Sequence, residues 1–201
     1  MKQEGNFRLE HPENYRPSFA IYHPNPRGTG CAMKLTMIPA FVGADGDVDG
    51  CIMMKLARQR PVGAGAAGEP HHPSFDWENA ICVKLGFNDL CKMLQVFRGE
   101  CETLEDGRGL FHRAAVGNSR IFMKHSVEPV AGYTLDVYRN VPGRTDADVN
   151  AHMHLYPWEA LGVSLAFENS FGTICFGIPK VLERELSGGV ARKEAGDAAA
   201  A

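Results

Sequence analysis

The alternation of apolar and polar positions divides the chain into short strand-like runs and two helical stripes. After Gly30, Cys31, Met33, Leu35 and Met37 share one parity, and Ala32, Lys34, Thr36 and Ile38 share the other. That period of two predicts a β-strand. Runs at 19–22, 31–41, 51–58 and 78–85 are short, rich in alternation and bounded by Gly, Pro or Asp, so each predicts a strand. The segment GADGDVDG, between the second and third, predicts a turn by composition. From Phe87 the period changes: Phe87, Leu90, Cys91, Leu94 and Phe97 form a helical stripe, with Asn88 placed to cap it.

The second half repeats the order. GLFHRA, SRIFMKHSVEP, GYTLDVYRN and NAHMHLYP predict four more strands, and WEALGVSLAFENSFGTICFG predicts a helix entered at Pro157. The strand-to-helix junctions align at an offset of 70 positions, pairing Val83 with Met153, Leu85 with Leu155 and Phe97 with Phe167. A duplicated ββββα unit predicts an α+β fold. The expected organisation is one domain over 18–180, made of repeats at about 18–100 and 108–178. Residues 1–17 are expected to be a flexible N-terminal segment and 181–201 a flexible tail, and 61–75 reads as a Gly/Ala/Pro-rich insertion.

Composition narrows the function classes. The 201 residues carry a formal net charge of −3, so any polyanion site must arise from local clustering of Lys and Arg. Six cysteines, none in a CxxC pair, are expected to be reduced and mostly buried thiols. The first residues hold acids and no apolar core, and no apolar run approaches the roughly 18 residues of a membrane span. An intracellular, cytoplasmic, reducing setting is the expectation.

Catalytic signatures are missing. PNPRGTGCAMKL leads into a strand, whereas a phosphate loop needs wider glycine spacing and a Lys-Ser/Thr opening a helix. No GxSxG is present, and no cysteine sits in an obvious activating setting. Asp45, Asp47 and Asp49 lack the distal glutamate of a calcium loop. His152 and His154 share a strand face and could ligate a metal, with His71, His72 or a cysteine completing the site. No carboxylate or further histidine follows them at a recognisable spacing, so neither metal nor cofactor is expected.

Strand parity also sorts the sheet faces. Ile81, Val83 and Leu85 oppose Lys84; Ile121 and Met123 oppose Phe122 and Lys124; Ala151, Met153 and Leu155 oppose His152, His154 and Tyr156. The solvent side therefore collects Lys34, Lys84, Lys124, Tyr138, His152, His154 and Tyr156, with Arg27, Arg58, Arg60, Arg120 and Arg139 near strand ends. Cations that meet phosphates and rings that stack on bases are what single-strand binding requires. Half-solvated antiparallel sheets also carry such residues with no ligand at all.

The segment FAIYHPNPRGTGCAMKLTMIPAF, Phe19 to Phe41, resembles the Whirly superfamily. That superfamily includes plant single-stranded-DNA-binding proteins and kinetoplastid mitochondrial guide-RNA-binding proteins. Shared are an aromatic strand (Ile21-Tyr22), a basic-glycine-small segment leading into a strand, a proline-bearing strand end, and two ββββα repeats. The two lysines flanking glycine in the plant motif correspond here to Arg27 and Thr29. The resemblance implies two antiparallel four-stranded sheets with helices. It further implies tetramers around a helical hub and nucleic acid lying across sheet surfaces between protomers. Ala160, Gly162, Ser164 and Ala166 would let another helix approach closely.

The resulting expectation is a non-enzymatic, sequence-tolerant binder of single-stranded DNA or RNA that works as a homo-oligomer. Arg27 and Lys34 would meet phosphates, supported by Lys84, Arg120 and Lys124, and Tyr22, Phe122 and Tyr138 would offer stacking faces. The alternatives are a metal-dependent small-molecule enzyme or binder centred on His152 and His154, and a scaffold that kept the fold and lost nucleic-acid binding.

Overall fold

The structure, a computed structural model, describes residues 18–43, 46–61, 72–114, 117–140 and 149–178. The expected flexible ends, and most of the 61–75 insertion, lie outside the described residues. The first repeat supplies β1 (Ser18–His23), β2 (Cys31–Ile38), β3 (Phe41–Gly43), β4 (Gly46–Val48), β5 (Cys51–Arg58), β6 (Ile81–Leu85) and α1 (Phe87–Phe97). The second supplies β7 (Leu110–Ala114), β8 (Gly117–Ser126), β9 (Gly132–Asn140), β10 (Val149–Leu155) and α2 (Pro157–Phe176). Strands pair antiparallel in the orders β1-β2-β5-β6 and β7-β8-β9-β10, so each repeat is a four-stranded sheet followed by a helix. The architecture expected of the sequence is the one observed.

Two local expectations change. The run at 31–41 is not one strand, because Pro39 brings no N–H to a ladder. Ala40 N–H donates instead to Thr173 O at 3.1 Å, and β3 and β4 form a separate hairpin over the segment read as a turn. The cap of α1 is also different. Gly86 is the N-cap residue, and its N–H donates to Asp89 Oδ2 at 3.0 Å, so the carboxylate one position beyond Asn88 takes that role.

The offset of 70 holds in three dimensions. α1 begins at Phe87 and α2 at Pro157, and the first-turn carboxylates Asp89 and Glu159 occupy matching places. Tyr156 N–H donates to Glu159 Oε2 at 2.9 Å, as Gly86 does to Asp89. Each carboxylate also pairs with a histidine on the first strand of the other repeat: His112 with Asp89 at 3.2 Å, His23 with Glu159 at 2.8 Å. Burial pushes the Asp89 carboxyl up. The His112 contact, the Gly86 amide and the charges of His112 and Lys92 outweigh that, holding it below its ordinary value. Between the helices, Phe97 and Phe167 lie 6.2 Å apart, and Arg98 Nη2 meets Glu168 Oε1 at 3.1 Å, both at matched positions.

One hydrophobic core joins both sheets and both helices. Ile81, Val83, Leu85, Ile121, Met123, Leu135, Val137, Ala151, Met153 and Leu155 all point inward, as their parity requires. On α1 the buried residues are Leu90, Met93, Leu94 and Val96, so the stripe is rotated from the expected one, and Phe87 stays half exposed against Phe171. The thiols also depart from expectation. Cys31 and Cys51 are buried, but Cys82, Cys101 and Cys175 are exposed: Cys82 has the outward parity of β6, Cys101 follows α1 in a loop, and Cys175 lies in the last turn of α2. Burial pushes the Cys31 thiol up to about 11, which leaves it chemically quiet. No described helix is long and apolar enough to cross a membrane.

Candidate nucleic-acid interface

The outer face of the first sheet follows from its register. One row runs Ala20, Lys34, Lys55, Cys82, and the next runs Ser18, Thr36, Met53, Lys84. Lys34 and Lys55 therefore stand directly opposite each other, with Lys84 one row away. Like charges directly opposite on a sheet are destabilising. Among the described residues no ion pair involves Lys34, Lys55 or Lys84. Sequence reasoning misses Lys55, because the apolar run CIMMKLAR hides its alternation.

A third row, Tyr22, Ala32, Ala57, closes one end of this face. Tyr22 is 54% exposed and meets Phe75 at 5.5 Å and Trp77 at 6.3 Å between ring centroids. Phe75 is brought there by an antiparallel bridge to Gln59, with Arg60 N–H donating to Ser74 O and Asp76 N–H to Arg58 O, both at 2.8 Å. That pairing is long-range, which is why local composition assigns Phe75 to an insertion.

Arg27 projects from the loop between β1 and β2 and is exposed. The loop is an Asx turn: Asn25 Oδ1 accepts from Arg27 N–H at 3.0 Å and Thr29 N–H at 3.1 Å. Gln59, only 6% exposed, ties the loop to β5. Its Oε1 accepts from Asn25 N–H at 2.8 Å and Gly30 N–H at 3.2 Å, and its Nε2 donates to Asn25 O at 3.0 Å. A Cβ at Gly30 would stand 2.2 Å from His23 O and 2.4 Å from Gln59 Oε1, so only glycine fits. No sequence pattern marks Gln59.

The outer face of the second sheet carries the row Phe111, Arg120, Tyr138, Asn150, and below it Phe122, Asp136, His152, then Lys124, Thr134, His154. The Arg120 guanidinium carbon lies 5.6 Å from the Phe111 ring centroid. Phe122 meets the half-exposed Tyr138 edge-on at 5.8 Å, so it contacts a neighbouring strand while remaining partly accessible. Lys124 is exposed. Each expected site residue thus lies on an outward face or the Arg27 loop, but they divide between two sheets.

Other charged residues that the sequence places near strand ends or on outer faces are engaged structurally. Arg58 Nε donates to Asn150 O at 2.6 Å, linking β5 to β10 across the sheets, and Arg60 pairs with Asp76 at 3.4 Å and Glu78 at 3.6 Å. His152 Nδ1 lies 2.7 Å from Asp136 Oδ1, and His154 Nε2 lies 3.2 Å from Ala131 O. His72 is exposed, and His71 lies outside the described residues. Among the described residues no three His, Cys, Asp or Glu side chains are grouped to hold a metal ion.

No protein-family model matches the chain, and no curated protein matches it. Solved structures do. WHY1 of Arabidopsis thaliana superposes with a TM-score of 0.61 at 13% identity, over 89% of this chain and 96% of that one. WHY3 of Arabidopsis thaliana gives 0.57 at 10% identity, over 87% and 97%. The MRP1/MRP2 proteins of the trypanosome Trypanosoma brucei give 0.52 at 12% identity, over 80% and 86%. At these identities the likeness concerns architecture alone, and it is explicit: the chain has the Whirly-like α+β fold.

Proposed function

We propose that this chain is a non-enzymatic, sequence-tolerant binder of single-stranded nucleic acid, DNA or RNA. The observation that carries it is the first sheet's outer face. Lys34 and Lys55 face each other in register with Lys84 beside them, none of the three in an ion pair among the described residues, and the Tyr22–Phe75–Trp77 group borders them. A concentration of like charge costs the free protein stability and is relieved by a polyanion. Rings at the edge of the same face supply stacking, which tolerates any base. The Whirly resemblance of Phe19 to Phe41 supports the same reading and adds Arg27. On the second sheet Arg120, Lys124, Phe122 and Tyr138 offer a further surface of that composition.

We infer also that the chain acts as a homo-oligomer through α2. Trp158, Leu161, Leu165 and Phe176 are 68%, 60%, 48% and 88% exposed along that helix. An apolar helix face of this kind is normally covered, and a second copy of α2 offers a matching face. The small residues of α2 play a lesser part: Ala160 is buried in its own core, whereas Gly162 is exposed.

The test is fluorescence anisotropy with labelled single-stranded DNA, single-stranded RNA and duplex DNA at two salt concentrations. Salt-sensitive binding to a single strand, weakened by Lys34→Ala, Lys55→Ala or Arg27→Ala, is the expected result. No binding to any of them at low salt sinks the reading. Sedimentation of the wild type and Leu161→Asp checks the α2 interface, with dissociation expected for the variant.

A further inference from the structure

Between the sheets, edge strand β6 and edge strand β7 border a groove of about 460 Å³. Lys84, Asp89, His112, Arg113 and Ser119 line it, next to Gly86. Lys84 and Arg113 are exposed, and neither has an ion-pair partner among the described residues. Asp89 is the one carboxylate among the lining residues, and it is already engaged by His112 and the Gly86 N–H. The groove is thus left with two unopposed cations.

Ser119 is the sharper observation. It is 9% exposed, it lines the groove, and its hydroxyl has no hydrogen-bond partner among the described residues. Ser119 Oγ is not among the buried polar atoms left without a partner, so the hydroxyl of this largely covered residue reaches the groove's solvent and stands open as a donor to a ligand there. Its register partner is His112, whose Nε2 is turned to Asp89. With no Ser119–His112 hydrogen bond, the three do not form a nucleophile relay. What remains is a hydroxyl donor beside two cations. The α1 N-terminus, whose N-cap Gly86 has no side chain to cap the first-turn amides, opens onto the same groove.

We propose that this groove is a phosphate-binding site. Arg113 and Lys84 supply charge, Ser119 Oγ–H donates one hydrogen bond, and the α1 amides contribute the favourable end of the helix dipole. The phosphate is either a diester within a bound strand or a monoester at a strand end. Both sources rest on the single-strand reading, whereas the groove's affinity for inorganic phosphate does not.

The experiment uses the full chain. Inorganic phosphate is titrated at millimolar concentrations while the amide signals of Gly86, Arg113 and Ser119 are followed by NMR. Saturable shifts are expected, with affinity about tenfold lower in Arg113→Ala and about threefold lower in Ser119→Ala. Ser119→Ala removes an unpartnered hydroxyl, so its fold is retained, and its spectrum checks this. Oligonucleotides of one sequence with 5′-phosphate, 3′-phosphate or hydroxyl ends then identify the source. Preference for one phosphorylated end assigns the monoester, and equal affinities that all fall in Arg113→Ala assign the diester. Phosphate shifts without oligonucleotide binding keep the groove and sink the single-strand reading. Groove signals unmoved by phosphate overturn the proposal, whatever the oligonucleotides do.

Discussion

The two strand-to-helix junctions share a frame and differ in what fills it. Both place a carboxylate in the first helical turn, return it to the N-cap amide and clasp a histidine from the other repeat. Around the first clasp, Lys84, Gly86 and Asn88 leave the groove open; the matching positions around the second are His154, Tyr156 and Trp158. There Tyr156 and Trp158 stack at 4.8 Å with an interplanar angle of 10°, and His23 and His154 each lie 5.4 Å from the Tyr156 ring. The backbone frame tolerates either outcome. Side-chain volume alone makes one junction a ring cluster and the other a cavity with polar walls.

The comparison breaks most severely where the repeats meet. Phe167→Ala, at a position 1% exposed, is expected to cost about 3–5 kcal/mol in denaturant unfolding, and Phe97→Ala less, because Phe97 is only half buried. A smaller free energy attaches to the open face. Lys34→Ala combined with Lys55→Ala should lower single-strand affinity at least tenfold, and flatten the salt slope by about 0.7 for each phosphate no longer neutralised. The same pair should leave thermal stability unchanged or slightly raised, since a like-charge pair is removed.

The clasps come next. Asp89→Asn should cost about 1 kcal/mol at neutral pH. The Asp89 carboxyl is held below its ordinary value in the folded state, so its stabilisation is full above the ordinary carboxylate range. It is lost as pH falls through the folded value, and urea midpoints below about pH 4 should drop more steeply for wild type than for Asp89→Asn. Smallest of all is Gly86→Tyr, which copies the second junction into the first. Gly86 has extended backbone, and a Cβ there meets only Asp89 Oδ2 at 3.9 Å, so stability should change by less than about 1 kcal/mol. Phosphate shifts in the groove should nevertheless disappear.

Much of the fold is legible because alternation and duplication report the same thing at two scales. The offset that pairs Val83, Leu85 and Phe97 with their second-repeat counterparts locates both helix starts, and it pairs both first-turn carboxylates as well. The site is less legible. Lys34, Lys84 and Lys124 stand out in alternating strands, whereas Lys55 sits in an apolar run whose outward Ala57 is buried, so parity gives no contrast there. Phe75 and Trp77 reach Tyr22 through a bridge to Gln59 that no local pattern encodes. The groove is hidden for a similar reason: β6 and β7 are each half-apolar edges, and only their juxtaposition gives Ser119 a place in a binding site.

Gln59 has a kinetic consequence. Its three hydrogen bonds, all made to the loop's own backbone, hold the Arg27 loop in shape from within the protein. A strand arriving at this loop meets a guanidinium on a framework already formed, so encounter and docking need no slow rearrangement. Stopped-flow traces for the wild type should rise in one phase with a rate linear in oligonucleotide concentration. Gln59→Ala should add a concentration-independent step, as the loop comes to order only after the strand has arrived.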